Sequence, residues 1–136
     1  MRNTWFIDID GTIVLHKTND ELDKMIKDFN LMGTLKKEHI LPGVVHFWGS
    51  IPENDLIILT TAREERHRWV TEAMLSYLNL RYDQLIMALG SGKRFVINDI
   101  EPGDEVNGGE DIFKAFSYNV MRDSGLWWED IEGKIQ

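Results

Sequence analysis

Two short apolar runs, Trp5-Phe6-Ile7 and Leu56-Ile57-Ile58-Leu59, each end at polar residues, Asp8-Ile9-Asp10-Gly11 after the first and Thr60-Thr61 after the second. Continuous runs of this length, rich in aromatic and β-branched residues, are the pattern of parallel strands buried within a sheet. Parallel neighbours cannot be joined by a tight turn, so the chain between them must cross back, usually as helix. The intervening residues carry that pattern. Thr18 and Glu21 have the spacing of a capping box, and Leu22, Met25, Ile26 and Phe29 then recur at i, i+3, i+4 and i+7. Leu41-Pro42-Gly43 interrupts the chain, Val44, Phe47, Trp48 and Ile51 restore helical spacing, and Pro52 ends it.

The stretch 64–79 predicts a third helix, with Trp69, Val70, Ala73, Met74, Tyr77 and Leu78 forming one apolar stripe. Residues 85–89, 95–98 and 115–120 read as further strands. Strands alternating with helices predict an α/β fold, an open, mostly parallel sheet with helices on both faces, formed as one domain over residues 1–136. Ligands of such sheets bind at the carboxyl ends of the strands. The stretch 99–111 holds six acidic residues, no basic residue and three glycines, and reads as a solvated loop.

Charge narrows the partners. Fifteen Lys and Arg against 23 Asp and Glu give a formal net charge of -8, which disfavours non-specific nucleic-acid binding and anionic membranes. A phosphorylated substrate is still compatible where a divalent cation sits among the carboxylates and reverses the local field. The absence of Cys removes disulfides and thiolate metal sites, and a cytoplasmic location is the expectation. Two carboxylates within the first ten residues are incompatible with a signal peptide, and no apolar run approaches the roughly 18 residues of a membrane span.

Asp8 and Asp10, two residues apart at the end of the first strand, would share a face if the strand continued. Holding two like charges together costs several kcal/mol unless a cation joins them or one is protonated. The alternative is a metal-free loop that merely begins with acids. The hydroxyl of Thr61 suits a phosphoryl oxygen at a strand-to-helix turn, or else a plain helix cap. His16, His39, His46 and His67 show no metal-ligand spacing and read as surface or core-edge residues. Gly90-Ser91-Gly92-Lys93 is like a phosphate loop only superficially, because the full Walker pattern is absent. The adjacent Trp127 and Trp128 read as the end of the core or as a subunit contact.

Asp8-Ile9-Asp10-Gly11-Thr12, behind its hydrophobic strand, resembles the first motif of the haloacid dehalogenase-like hydrolase superfamily, whose members are mostly Mg2+-dependent phosphatases on a Rossmann-like sheet. Leu59-Thr60-Thr61-Ala62-Arg63 is similar to the second motif and Phe95-Val96-Ile97-Asn98-Asp99 to the fourth. The resemblance implies Asp8 as the nucleophile, Asp10 as the proton carrier and Thr61 as a phosphoryl contact. It also implies Mg2+ held by Asp8, the backbone carbonyl of Asp10, and Asp99. Arg63 would assist the phosphate or be a solvated first-turn residue, and Asp104 would be a second motif acid or a solvated loop acid.

The family's lysine corresponds to Lys93, but only residues 90–93 separate Leu89 from Arg94 and the next apolar run. A parallel crossover needs about a dozen residues. The segment 85–89 is therefore a hairpin partner of that run, or the run is very short, and Arg63 or Arg94 could replace the lysine's charge. Only residues 18–40 stand where larger relatives insert a cap, so the resemblance implies a minimal cap and an open site, completed by a larger substrate or a second copy of the chain. The expected function is Mg2+-dependent phosphomonoester hydrolysis through an aspartyl-phosphate, on a sugar phosphate, a nucleotide or a phosphorylated polymer end. The alternative is a phosphate- or metal-binding regulatory module of the same fold without turnover.

Overall fold

The structure is a computed structural model and describes residues 2–35, 38–105 and 108–134. In chain order it forms β1 (Thr4–Asp8), α1 (Asn19–Lys27), α2 (Leu31–Leu35), α3 (Val44–Ser50) and β2 (Leu56–Thr60). A 3-10 turn, Glu65–His67, runs into α4 (Arg68–Tyr77), followed by β3 (Gln84–Ile86), β4 (Ile100–Glu101) and β5 (Ile112–Phe113). Two more 3-10 turns, Trp128–Asp130 and Glu132–Lys134, complete the order.

β1, β2 and β3 form one parallel sheet in that order, the central feature of the expected α/β fold. The register aligns Ile7 with Leu59 and Leu59 with Leu85, a row of buried side chains across the sheet. Met74 and Leu75 of α4 and Val44 and Phe47 of α3 belong to the same apolar cluster. Each such side chain contributes about 1.5–3 kcal/mol by leaving water. At the start of β1, the buried Asp55 carboxylate accepts from the Asn3 backbone N–H and the Trp5 indole N–H, both at 3.0 Å, tying β1 to the loop that precedes β2. Trp128 packs on Trp5 and Phe47, with ring centroids 5.6 and 5.3 Å away, so this tryptophan finishes the core while Trp127 stays largely exposed. Among the described residues no helix is long and apolar enough to cross a membrane.

The capping box at Thr18 and Glu21 is present, with the Thr18 hydroxyl accepting from the Glu21 N–H at 3.2 Å. On α4 the buried face is Val70, Thr71, Met74 and Leu75, whereas Trp69 and Tyr77 are exposed, a rotation from the expected stripe. Thr71 can occupy the buried face because its hydroxyl is satisfied, donating to the His67 carbonyl at 2.8 Å and accepting from Arg63 at 3.0 Å. Trp69 instead meets Phe29 edge to face, with centroids 4.8 Å apart.

Two expected strands are not formed. Residues 95–98 pair with no strand among the described residues, Phe95 being 82% and Ile97 93% exposed, and residues 115–120 are likewise irregular. A strand exists through its partner's hydrogen bonds, and residues 87–94 are too few for the dozen or so that a parallel crossover from β3 needs. β3 is itself parallel to β2, and residues 85–89 form no hairpin with the run 95–98. The acidic stretch expected as an open loop is partly a hairpin, with Ile100 opposite Phe113 and Glu101 opposite Ile112; positions 106–107 lie outside the described residues.

α1 is tethered to the start of α4 by Asp23, whose carboxylate accepts from Arg66 at 2.9 and 3.0 Å and meets the buried His67 Nε2 at 2.7 Å. These hydrogen bonds, Arg66 first, hold Asp23 down at about 2 against an ordinary 3.8. A depressed carboxylate adds stability above its unfolded value and loses it as pH falls through its folded value. Thermal unfolding of wild type and Asp23→Asn should therefore differ most above about pH 4, and the gap should close as pH approaches about 2.

Candidate active site

The strands are parallel, so their carboxyl ends lie together, with Asp8 of β1 in register with Thr60 of β2 and Thr60 with Ile86 of β3. Immediately after Asp8 the chain turns. The N–H groups of Thr12, Ile13 and Val14 all point to the Ile9 carbonyl, at 3.2, 3.0 and 3.3 Å, and the Gly11 N–H donates to the Val14 carbonyl at 2.7 Å. Gly11 adopts φ +83°, and a Cβ there would come within 2.9 Å of the Arg122 side chain, so conformation and space both require glycine. The same turn holds the distant segment 120–123, because the Asp123 N–H donates to the Gly11 carbonyl at 2.9 Å and the Asp123 carboxylate accepts from the His16 N–H at 2.8 Å.

These contacts leave a shallow pocket of about 270 Å3 lined by Asp8, Asp10, Gly11, Thr12, Val120 and Arg122. A second depression, of about 300 Å3, runs along α1 and is lined by Lys17, Glu21, Lys24, Met25 and Asp28. In the pocket Asp8 keeps a solvent-accessible face, yet the protein crowded around it raises its carboxyl above the ordinary 3.8. The Ile9 N–H opposes that rise, Asp10 adds to it by repulsion, and Thr12 and Arg94 pull the other way. The Thr12 hydroxyl donates to Asp8 Oδ2 at 3.4 Å.

Asp10 is held quite differently. Arg63, 2% exposed, donates from Nε to Asp10 Oδ2 at 2.9 Å and from Nη2 to Oδ1 at 2.8 Å, a bidentate pair. The guanidinium also donates to Thr71 and stands 3.5 Å from the buried Glu38, which in turn lies 3.7 Å from Lys17 Nζ. Burial alone would lower the arginine's affinity for its proton, but Asp10 and then Glu38 outweigh it and hold Arg63 charged above its ordinary range. Arg63 is thus neither a phosphate contact nor a solvated residue.

Of the residues singled out in the sequence, Asp8 and Asp10 come together at the pocket and the others stand off its walls. Thr61 is buried, its hydroxyl accepting from the Arg63 backbone N–H at 3.0 Å, in the manner of a local cap. Lys93 is exposed in the irregular segment after β3. Asp99 is exposed, with Asn98 donating to it at 3.2 Å, and Asp104 lies in the loop between β4 and β5. Because residues 95–98 do not return alongside β1, the expected Asp8, Asp10 and Asp99 set is not assembled, and no group of three His, Asp or Glu among the described residues is placed to hold a metal ion. Mg2+ commonly uses one or two carboxylates, a substrate phosphate and waters, and Asp8 is a hard oxygen donor fit for that reduced role.

Two participants had no sequence signal. Glu38 follows two lysines and reads as a surface residue, yet its side chain is fully buried. Arg122 lies in a stretch without periodicity or motif.

Neither a protein-family model nor a curated protein sequence matches the chain. Among solved structures it is similar to a chain of the Pnkp1/Rnl/Hen1 complex, at 23% identity and a TM-score of 0.46, over 69% of this chain. The chain spans 31% of the length of that one.

Arg63→Met should strip the part-buried Asp10 of its cation and leave the buried Glu38 with Lys17 alone, destabilising the protein by about 3–5 kcal/mol in urea unfolding, whereas Asp10→Asn, which keeps an acceptor oxygen for Arg63, should cost clearly less.

Proposed function

We propose that the chain is a phosphomonoester hydrolase of the haloacid dehalogenase-like type, acting through Asp8. The observation that carries this reading is an accessible Asp8 at the carboxyl end of a parallel strand, in one pocket with Asp10 and an arginine, the second carboxylate being clamped from behind by a buried guanidinium. An Asp8 oxygen attacks phosphorus, forming an acyl-phosphate bond as the bond from phosphorus to the alcohol oxygen breaks. The departing alkoxide takes a proton. Water then attacks the same phosphorus, phosphate leaves, and the Asp8 carboxylate is restored.

Thr12 orients the attack by donating its hydroxyl to Asp8 Oδ2. Asp10 carries the proton out and back, which requires one of its oxygens to part from Arg63 during turnover. Asp8 would hold Mg2+, which would supply positive charge to offset the negative charge of the incoming phosphate. The shallow pocket suits a phosphate carried on a larger body, such as a sugar phosphate, a nucleotide or a polymer end.

A second reading, a phosphate-binding regulatory module without turnover, draws on the same Arg63 clamp, because it occupies both oxygens of the proton carrier. Phosphate release from p-nitrophenyl phosphate and a panel of monoesters separates the two. The hydrolase releases phosphate with Mg2+ and stops with chelator, Asp8→Asn is inactive, and Asp10→Asn is slower by about 100-fold or more. Wild type that binds phosphate but turns over no ester on the panel supports the regulatory module.

The metal-free protein gives an independent check, because the protein crowded around Asp8 raises its carboxyl. A raised carboxyl adds stability below its unfolded value and loses it as pH rises through its folded value. At pH 7 Asp8→Asn should therefore unfold at the same or a higher temperature than wild type.

A further inference from the structure

We propose that Arg122 is the group that grips the phosphate in this pocket; the proposal rests on reading the pocket as a phosphate site. Every other cation considered for that role is engaged elsewhere or stands off the walls. Arg63 is buried and satisfied by Asp10, Thr71 and Glu38. Arg94 acts on Asp8 from off the pocket wall, with its Nη1 donating to the Gly90 and Gly92 carbonyls at 2.8 and 2.9 Å, and Lys93 is not on the wall either.

Arg122 is placed and uncommitted. Its side chain lies across Gly11, where a Cβ would meet Cγ at 2.9 Å, and its backbone neighbour Asp123 is fastened to the same turn. Although it lines the pocket with Asp8 and Asp10, it forms no hydrogen bond or ion pair with any described residue. A guanidinium held beside two carboxylates and bonded to neither keeps its planar fork of donors for a third partner. Two N–H groups on two phosphate oxygens make a bidentate, charge-assisted contact, and the positive charge offsets the repulsion a phosphate meets from Asp8 and Asp10.

Inorganic phosphate is the probe, titrated calorimetrically with and without Mg2+ into wild type, Arg122→Ala, Arg122→Lys and Lys27→Ala, with circular dichroism and melting temperature confirming that each variant folds. Arg122→Ala should weaken binding by about tenfold or more, and Arg122→Lys should fall between it and wild type. Lys27→Ala, which removes one positive charge from the end of α1, should bind as wild type does. Wild type that binds phosphate, with Arg122→Ala binding equally well, overturns the role of Arg122 and leaves the phosphate reading intact. Wild type that binds no phosphate in either condition overturns both. Equal weakening by Arg122→Ala and Lys27→Ala also overturns the proposal, since it would mean that net charge and not a fork in the pocket governs affinity.

Discussion

The buried guanidinium of Arg63 is the point on which the arrangement turns. Its partners come from three parts of the chain, Asp10 after β1, Glu38 between α2 and α3, and Thr71 on α4, and Lys17 pairs with Glu38 from a fourth. Desolvating such charges costs several kcal/mol each unless every one is paired, so the fold is satisfied only when these segments arrive together. The network also divides the labour of two neighbouring acids. Asp10 is neutralised from behind and oriented, while Asp8 has no such partner and carries the cost of crowding itself. The site's one exposed and strained carboxylate follows from where the arginine was spent.

What could be read from the residues tracks how regular each segment is. β1, β2, α1 and α3 announce themselves, because their apolar positions repeat with the right period and Thr18, Glu21 and Pro52 mark where helices start and stop. The strand ending at Asp8 and the glycine turn after it were legible for the same reason. The apolar run 95–98 has equally good strand character, but a strand needs a neighbour within reach of its connection, and the short spacing after Leu89 already argued against a regular return. Local character and connectivity disagreed there, and connectivity prevailed.

The site was half legible. Asp8 and Asp10 stand in a compact motif whose neighbours in sequence are its neighbours in space. Arg63 was visible as a residue but not in its use, since burial of an arginine depends on acids brought in from elsewhere, one of them Glu38 beside two lysines. Arg122 arrives from more than a hundred residues away through irregular chain, and the hydrogen bonds of Asp123 with Gly11 and His16 show where it goes. Contacts between a motif and an aperiodic segment leave no spacing to detect.

The free side of β1 has a bearing on how this protein behaves in a crowded solution. Among the described residues β1 is an edge of the sheet, with Phe6 on it 60% exposed, and the run Phe95-Val96-Ile97 pairs with no strand. An open edge and a bare apolar strand-like segment in one chain are complementary, which is the recipe for copies adding to one another. The surplus of eight negative charges works against that encounter by mutual repulsion. High ionic strength, by screening that repulsion, lets the edge strand of one molecule approach the exposed run of the next.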